Sequence, residues 1–535
     1  MIRRRVTAIA AAAALAAAAL ALLPAASGAA DSVVRIGLPQ QPNTLNPLVG
    51  GEFYENYLDE AIFSGLVVID SRGNVAPDLI QNVPTKRNGG ISGDGLTITY
   101  ILQPGLKWQD GAPLTAADVA FTFKLMRDPK VPFPLASQYT NVASLEARDK
   151  QTVVVHLKKP DADAVAELFV NGQNGSIVPE HVLRNAADIR KAPFSAKPVG
   201  SGPYSVESWS RDTGLVLRAN PRYFRGRPAI GELRVRVIPD TNTMAIALRA
   251  GDLDFAPGIT PAAVSMLRGT PAIRLDEAPT EGLVWLIDRV DAPPFDDARV
   301  RRAFGLDAGR DAIARKAYLG YAQPAVELVP PWSPWATVRH APPADPKGAA
   351  KLLDDAGWRV GPDGVRTRGS RKLSVTLTTI AGGRALLTTA TLLQAQWHEL
   401  GADVAIKTAE ANQLYAPDGI LAKGEFQFAL TAIGFATTPD RSSVLSSHSF
   451  PPAGSNSAHY ANAAVDKAIE QAQTSLDPAT RRHAFAAIEK AVAADAPYAP
   501  LVWEHTIVAV SKKISGFKQE PVNSDLWNVY EWKLQ

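Results

Sequence analysis

Cysteine is absent from the 535 residues. Without a thiol there is no disulfide framework, no thiolate metal site, no thiol nucleophile and no lipid-modified N-terminal cysteine. An excess of one charge is missing too. Lys and Arg number 56 against 53 Asp and Glu, and Arg3, Arg4 and Arg5 account for the whole +3. Nucleic-acid binders carry a basic surplus, so no nucleic-acid partner is expected. Beyond the first thirty residues no run approaches 18 apolar residues, so no later membrane span is expected.

Catalytic signatures are also lacking. The eight histidines are dispersed, and none forms the helical pair with a glutamate that a zinc protease uses. Gly200-Ser201-Gly202 runs into Pro203-Tyr204 instead of completing a nucleophile elbow. Lys423-Gly424 has neither the glycine run nor the following hydroxyl of a phosphate loop. Asp296-Asp297 and Asp354-Asp355 are adjacent pairs whose side chains splay apart, unlike an acid/base pair. The chain reads as a binder, not an enzyme, with no cofactor and no metal.

What is present is an export signal and an ordinary globular composition. Arg3–Arg5 precede an Ala/Leu-rich run over 6–23, then Pro24 and the small residues 25–30. This is a secretory signal peptide cleaved near Ala29 or Ala30, the alternative being an uncleaved anchor. The mature protein is expected in the periplasm and, lacking a cysteine, is not a lipoprotein. Apolar residues at 46% and charged residues at 20% suit packed cores. The length suggests two to four domains at roughly 150 residues each.

Periodicity places the elements. Residues 96–102 and 152–157 read as strands, with a helix from the Thr115–Asp118 capping box to about Met126. The glycines of 89–95 form a hairpin tip, and 233–237 is a strand with one wet face. From about 345 the period changes to α/β: a helix over 346–356, a strand over 373–380, a helix over 384–400 and a strand over 402–408. Strand–helix–strand order implies a parallel crossover. Asp477-Pro478 starts a helix to about 494, and 501–510 returns as a strand.

Several blocks then occur in a telling order: Asn43-Thr44-Leu45-Asn46-Pro47, Phe63-Ser64-Gly65-Leu66, Pro77-Asp78-Leu79, the stretch from Tyr100 through Lys107-Trp108-Gln109-Asp110-Gly111 to Val119, Gly200-Ser201-Gly202-Pro203-Tyr204, Asn220-Pro221-Arg222-Tyr223-Phe224, Ala250-Gly251-Asp252-Leu253-Asp254, Asp297–Ala303 and Leu352–Trp358. Over 33–515 the chain resembles the family 5 extracellular solute-binding proteins, the dipeptide- and oligopeptide-binding receptors of ABC importers. On their chemistry alone the blocks build the fold: Asp-Gly suits a tight turn and Trp108 a core anchor.

The resemblance implies an α/β, two-lobed periplasmic-binding-protein fold of type II, in the large peptide-binding class with an extra insert domain. By analogy 1–30 is the signal peptide. Residues 31–64, 198–290 and 501–535 make lobe 1, 65–197 the insert domain, and 291–500 lobe 2. A monomer would capture a peptide or related polar solute between the lobes. It would then deliver it to inner-membrane permease subunits served by cytoplasmic ATPases. The alternatives are an exported hydrolase of cell-wall peptides, or a receptor for a metal chelate or an opine-like solute.

The resemblance also proposes ligand-binding residues. Family members grip the peptide amine with the Asp of a Gly-Trp-x-x-Asp segment, matched here by Gly434-Phe435-Ala436-Thr437-Thr438. Phe435 keeps an apolar platform, Thr438 removes the anion, and Asp440 is the nearby substitute. An ammonium left desolvated and unpaired costs several kcal/mol, which weighs against a simple free-amine peptide, although peptide stays the leading class. Arg384 follows a strand's C-terminal end, where α/β lobes bind ligands, and its fork suits a carboxylate. Glu52, Phe53 and Tyr54 supply an acidic and aromatic wall, Trp285 lies in the segment leading between lobes, and Asn456 matches a family position after the cleft loop.

Overall fold

The computed structural model describes residues 32–535 apart from 71–72, 211–212, 339, 436–437 and 521–523. The expected signal peptide and its cleavage site therefore lie outside the described residues. Among those described, no helix is long and apolar enough to cross a membrane.

One sheet of eleven strands runs through the molecule. Its spine is a pair of long antiparallel strands, Ile273–Asp288 and Tyr498–Ser511. They pair from Ile273↔Ser511 to Pro279↔His505, lose register, and pair again from Leu283↔Trp503 to Ile287↔Tyr498, with a further one-residue shift between Val284 and Trp285. Thr280, Glu281 and Gly282 fill the break. On one side of it, Val33–Leu38 lies parallel to Glu232–Val237 and touches Phe255–Ala256, with Gly214–Ala219 and Tyr204–Ser210 completing the edge. On the other side, Ser374–Ile380 lies parallel to both Asp403–Ala409 and Phe428–Gly434. The predicted parallel crossover is present, with helix Arg384–Glu399 between its strands.

The central stretches Leu283–Ile287 and Tyr498–Trp503 are buried on both faces, which explains their unbroken apolar runs, whereas Glu232–Val237 keeps the predicted wet face through Arg234 and Arg236. Beyond the break, alternation sends Val284 and Leu286 to a core with Phe304, Trp397 and Phe428. Leu283, Trp285 and Ile287 face a second core under helices Ala463–Thr474 and Pro478–Asp495. Before the break, Ile507 and Ala509 pack on Met244, Leu248 and Val264, while Val508 and Val510 join the large core that extends into 65–197. That region carries its own three-stranded sheet, ordered Thr97–Ile101, Thr152–Leu157, Val142–Ala147.

Two of the sequence blocks prove to be a single joint. Trp108 is fully buried and Gly111, at φ 96°, closes the turn through its N–H to the Trp108 carbonyl at 2.9 Å. Gln109 then receives the Gly200 N–H at 2.9 Å and donates to the Tyr204 carbonyl at 2.7 Å. A Cβ on Gly200 would lie 1.9 Å from the Ile62 carbonyl oxygen, so only glycine fits.

Candidate functional site

The register break is where the two halves of the sheet meet, and a cavity of about 480 Å³ opens there. That volume suits a small solute. Its floor is Thr280 with residues 504–507, one wall is 258–262, and the other is 317–321 with Arg384 and Ala385. Both walls are pinned to the same strand. The Ile259 N–H donates to the Ile507 carbonyl at 3.0 Å, and the His505 N–H to the Tyr321 carbonyl at 3.2 Å. Thr260 caps helix Pro261–Leu267, and Leu319 sits in the left-handed region (φ 55°), exposed towards the wall it forms.

Two charges of opposite sign line this cavity. Arg384 is the first residue of its 16-residue helix, and its exposed guanidinium has no hydrogen bond or ion pair among the described residues. The Glu504 carboxylate, half-buried between Trp503 and His505 in its strand, likewise has none, and desolvation raises its pKa. A Cβ on Gly282 would come within 3.1 Å of Glu504 Oε2, so glycine leaves that carboxylate its space. The next residue along, His505, is occupied: its Nδ1 meets Glu277 Oε1 at 2.8 Å.

Of the residues proposed from sequence, Arg384 lines the cavity and Tyr54 stands at its rim. Phe53 and Tyr54 begin helix Phe53–Ile62, edge to face at 5.0 Å, and the Tyr54 hydroxyl abuts Gly258. Burial, aided by Asp525, pushes the Tyr54 phenol up to about 12. Glu52 precedes this helix, where its N–H donates to Glu55 Oε2 at 3.0 Å.

The other candidates are placed elsewhere. Trp285 is buried in the core, stacked on Tyr498 at 4.4 Å, its indole N–H spent on Thr431 Oγ1 at 2.9 Å. Phe435 lies edge to face on Trp285 and carries the Arg441 guanidinium 4.1 Å above its ring, so this platform is already covered. Ala436 and Thr437 lie outside the described residues. Thr438 is buried, its hydroxyl 3.4 Å from Glu167 Oε1. Asp440 accepts from the Ser442 N–H at 2.7 Å and from Gln473 Nε2 at 2.9 Å, which commits it to capping. Asn456 is fully buried and ties Ser446 to Tyr460 through their carbonyls.

Glu504 and Thr280 were missed. The available signal was Glu504-His505 between the apolar runs 501–503 and 507–510, since a charge set among apolar strand residues needs a reason. Among the described residues no three His, Asp or Glu side chains are grouped to hold a metal ion.

A profile described as bacterial extracellular solute-binding proteins, family 5, middle, matches residues 74–456. Protein XP55 of Streptomyces lividans is 32% identical over 477 residues, covering 88% of this chain and 83% of its own. A putative ABC transporter peptide-binding protein of Brucella ovis is 30% identical over 473 residues, covering 86% and 85%. The glutathione-binding protein GsiB of Salmonella typhimurium is 27% identical over 498 residues, covering 92% of each. Among solved structures, the oligopeptide-binding protein AppA of Bacillus subtilis, in complex with a nonapeptide, superposes with a TM-score of 0.72 at 25% identity, covering 94% of this chain and 99% of its own. NikA of Brucella suis, in complex with Fe(III)-EDTA, gives a TM-score of 0.81 at 21% identity, covering 94% and 100%. Sequence and two-lobed α/β architecture agree: the chain belongs to the family 5 bacterial extracellular solute-binding proteins.

Proposed function

We propose that the chain is the periplasmic receptor of an ABC importer, which closes its lobes around a peptide or a related polar solute and hands it, unaltered, to a membrane permease. The observation that carries this reading is the cavity at the register break, walled from both halves of the sheet and holding the unpaired Arg384. The names of its relatives, a putative ABC transporter peptide-binding protein and a glutathione-binding protein, supply the solute class.

In this reading residues 31–64, 198–290 and 501–535 form lobe 1, 65–197 the insert domain and 291–500 lobe 2. The hinge is the pair of strands crossing at 280–282 and 503–505. The protein works as a monomer after removal of residues 1–30, and the ATPases lie with the permease. Isothermal titration of the mature chain with dipeptides to pentapeptides and glutathione, followed by mass spectrometry of the released solute, tests it. One solute bound per chain and recovered intact is the expected result. Cleavage of the solute would replace the receptor with a hydrolase.

A further inference from the structure

Resting on that receptor reading, we propose that Leu319 sets the specificity of the cavity at the register break, its strained side chain gripping an aliphatic group of the solute against Pro261 and Ala262 of the facing wall. At φ 55° Leu319 adopts a conformation that crowds the Cβ of an L-residue and that bulky side chains rarely take. Four other non-glycine residues among those described share it, and each has a local reason. Phe169 is fully buried, edge to face on Tyr139 at 5.4 Å. Asn174 is of a type that tolerates this region. His459 stacks on Phe450 at 5.1 Å, with its Nδ1 3.2 Å from Asp291 Oδ2. Ala496 closes helix Pro478–Asp495, where a left-handed residue is usual. Leu319 is 53% exposed and belongs to none of the apolar cores. Strain that no packing offsets is characteristic of functional positions.

The surrounding turn fixes this residue from both sides. Tyr318 before it is buried, and the Gly320 N–H after it donates to the Ala314 carbonyl at 2.9 Å. The Tyr321 N–H reaches the Tyr318 carbonyl at 2.9 Å, and the Tyr321 carbonyl is held by the His505 N–H. Leu319 is left lining the cavity. The facing wall offers half-buried Pro261 and exposed Ala262, while Ile259 and Ile507 are turned into the core. Apolar surface on both walls is thus hydrated until an aliphatic group of the solute covers it. None of these three side chains can hydrogen-bond, so a polar group of the same size would be desolvated there without a partner. The solute class is an amino acid or short peptide carrying an aliphatic side chain.

The test is calorimetry on the mature chain with leucine, leucyl-glycine, glycyl-leucine and leucyl-leucine, each beside the counterpart in which asparagine, of similar size and shape, replaces leucine. At least one leucine solute should bind, about tenfold or more tighter than its counterpart. Leu319→Asn keeps a residue type that accepts the left-handed turn but removes the apolar surface. It should abolish the preference while melting no lower than the unaltered chain, a split that a merely structural role would not produce. If Leu319→Asn does not fold, Leu319→Gly carries the same expectation. Equal or tighter binding of the asparagine solutes, no binding by any leucine solute, or a preference that survives the substitution overturns the inference. The receptor reading would outlive each of these results, and would fall instead if a bound solute were recovered cleaved.

Discussion

At the scale of single residues, what separates site from scaffold is whether a polar group is already spoken for. Trp285, Asp440 and Asn456 have chemistry that could serve a ligand, but each is spent on a neighbour: Thr431, Ser442 and Gln473, or Tyr460. Arg384 is not spent. Arg384→Ala should therefore weaken a carboxylate-bearing solute by about 2 kcal/mol or more while leaving the melting temperature within a degree or two. Titration calorimetry checks this, and unchanged affinity would remove Arg384 from the site. Arg384 was legible because it follows a strand end and starts a helix. Glu504 was not, because its meaning depends on what lies across the sheet: only the pairing of 498–511 with 273–288 brings it beside Gly282 and opposite the loops at 258 and 317.

At the scale of elements, local pattern and tertiary pairing divide the fold between them. The segments 374–380, 384–399 and 403–409 match their predicted bounds within a residue or so, since apolar period and the glycines at 383 and 401 act locally. The 16-residue strand Ile273–Asp288 was not legible as a unit. Its middle, Asp276 to Gly282, holds three acids, a proline and a glycine, which alone favour a turn. Long-range pairing with 498–511 overrides that preference and confines the irregularity to the break at 280–282, the hinge of the proposed reading.

The joint between Gln109 and 200–204 gives an element-scale prediction. Gly200→Ala drives a methyl group into the Ile62 carbonyl and should destabilise by at least about 2 kcal/mol in urea unfolding. Trp397, fully buried with its N–H on the Phe304 carbonyl at 3.1 Å, should cost about 3–5 kcal/mol as Trp397→Ala.

At the scale of the whole molecule, the proposed closing motion has a seam away from the hinge. The Ala162 N–H donates to the Gln473 carbonyl at 2.8 Å, Arg481 grips buried Asp163 at 2.6 and 2.7 Å, and Thr438 reaches Glu167. In the proposed reading these contacts join the insert domain to lobe 2, and opening parts them. Asp163→Ala strands Arg481 without its partner, and should cost the closed form about 3–5 kcal/mol, seen as weaker solute binding and a more open ligand-free protein.

The seam also makes closure depend on pH. Burial, together with Asp163, Asp161 and Asp440, pushes the Glu167 carboxyl up to about 8, and burial pushes Asp163 up to about 6 against the pull of Arg481. In the open form a solvated Glu167 returns to about 4.5, so closure takes up a proton between those values. That contribution is complete below about pH 4.5 and is lost as pH rises through about 8. Solute affinity should fall between about pH 5 and pH 8.5, and Glu167→Gln should flatten the fall.

Small-angle scattering on the mature chain, with and without a saturating solute that calorimetry shows to bind one per chain, tests the central claim most directly. Lobes that close on the solute predict a smaller radius of gyration on binding and recovery of the solute intact. An unchanged profile, with the solute released in pieces, would contradict it.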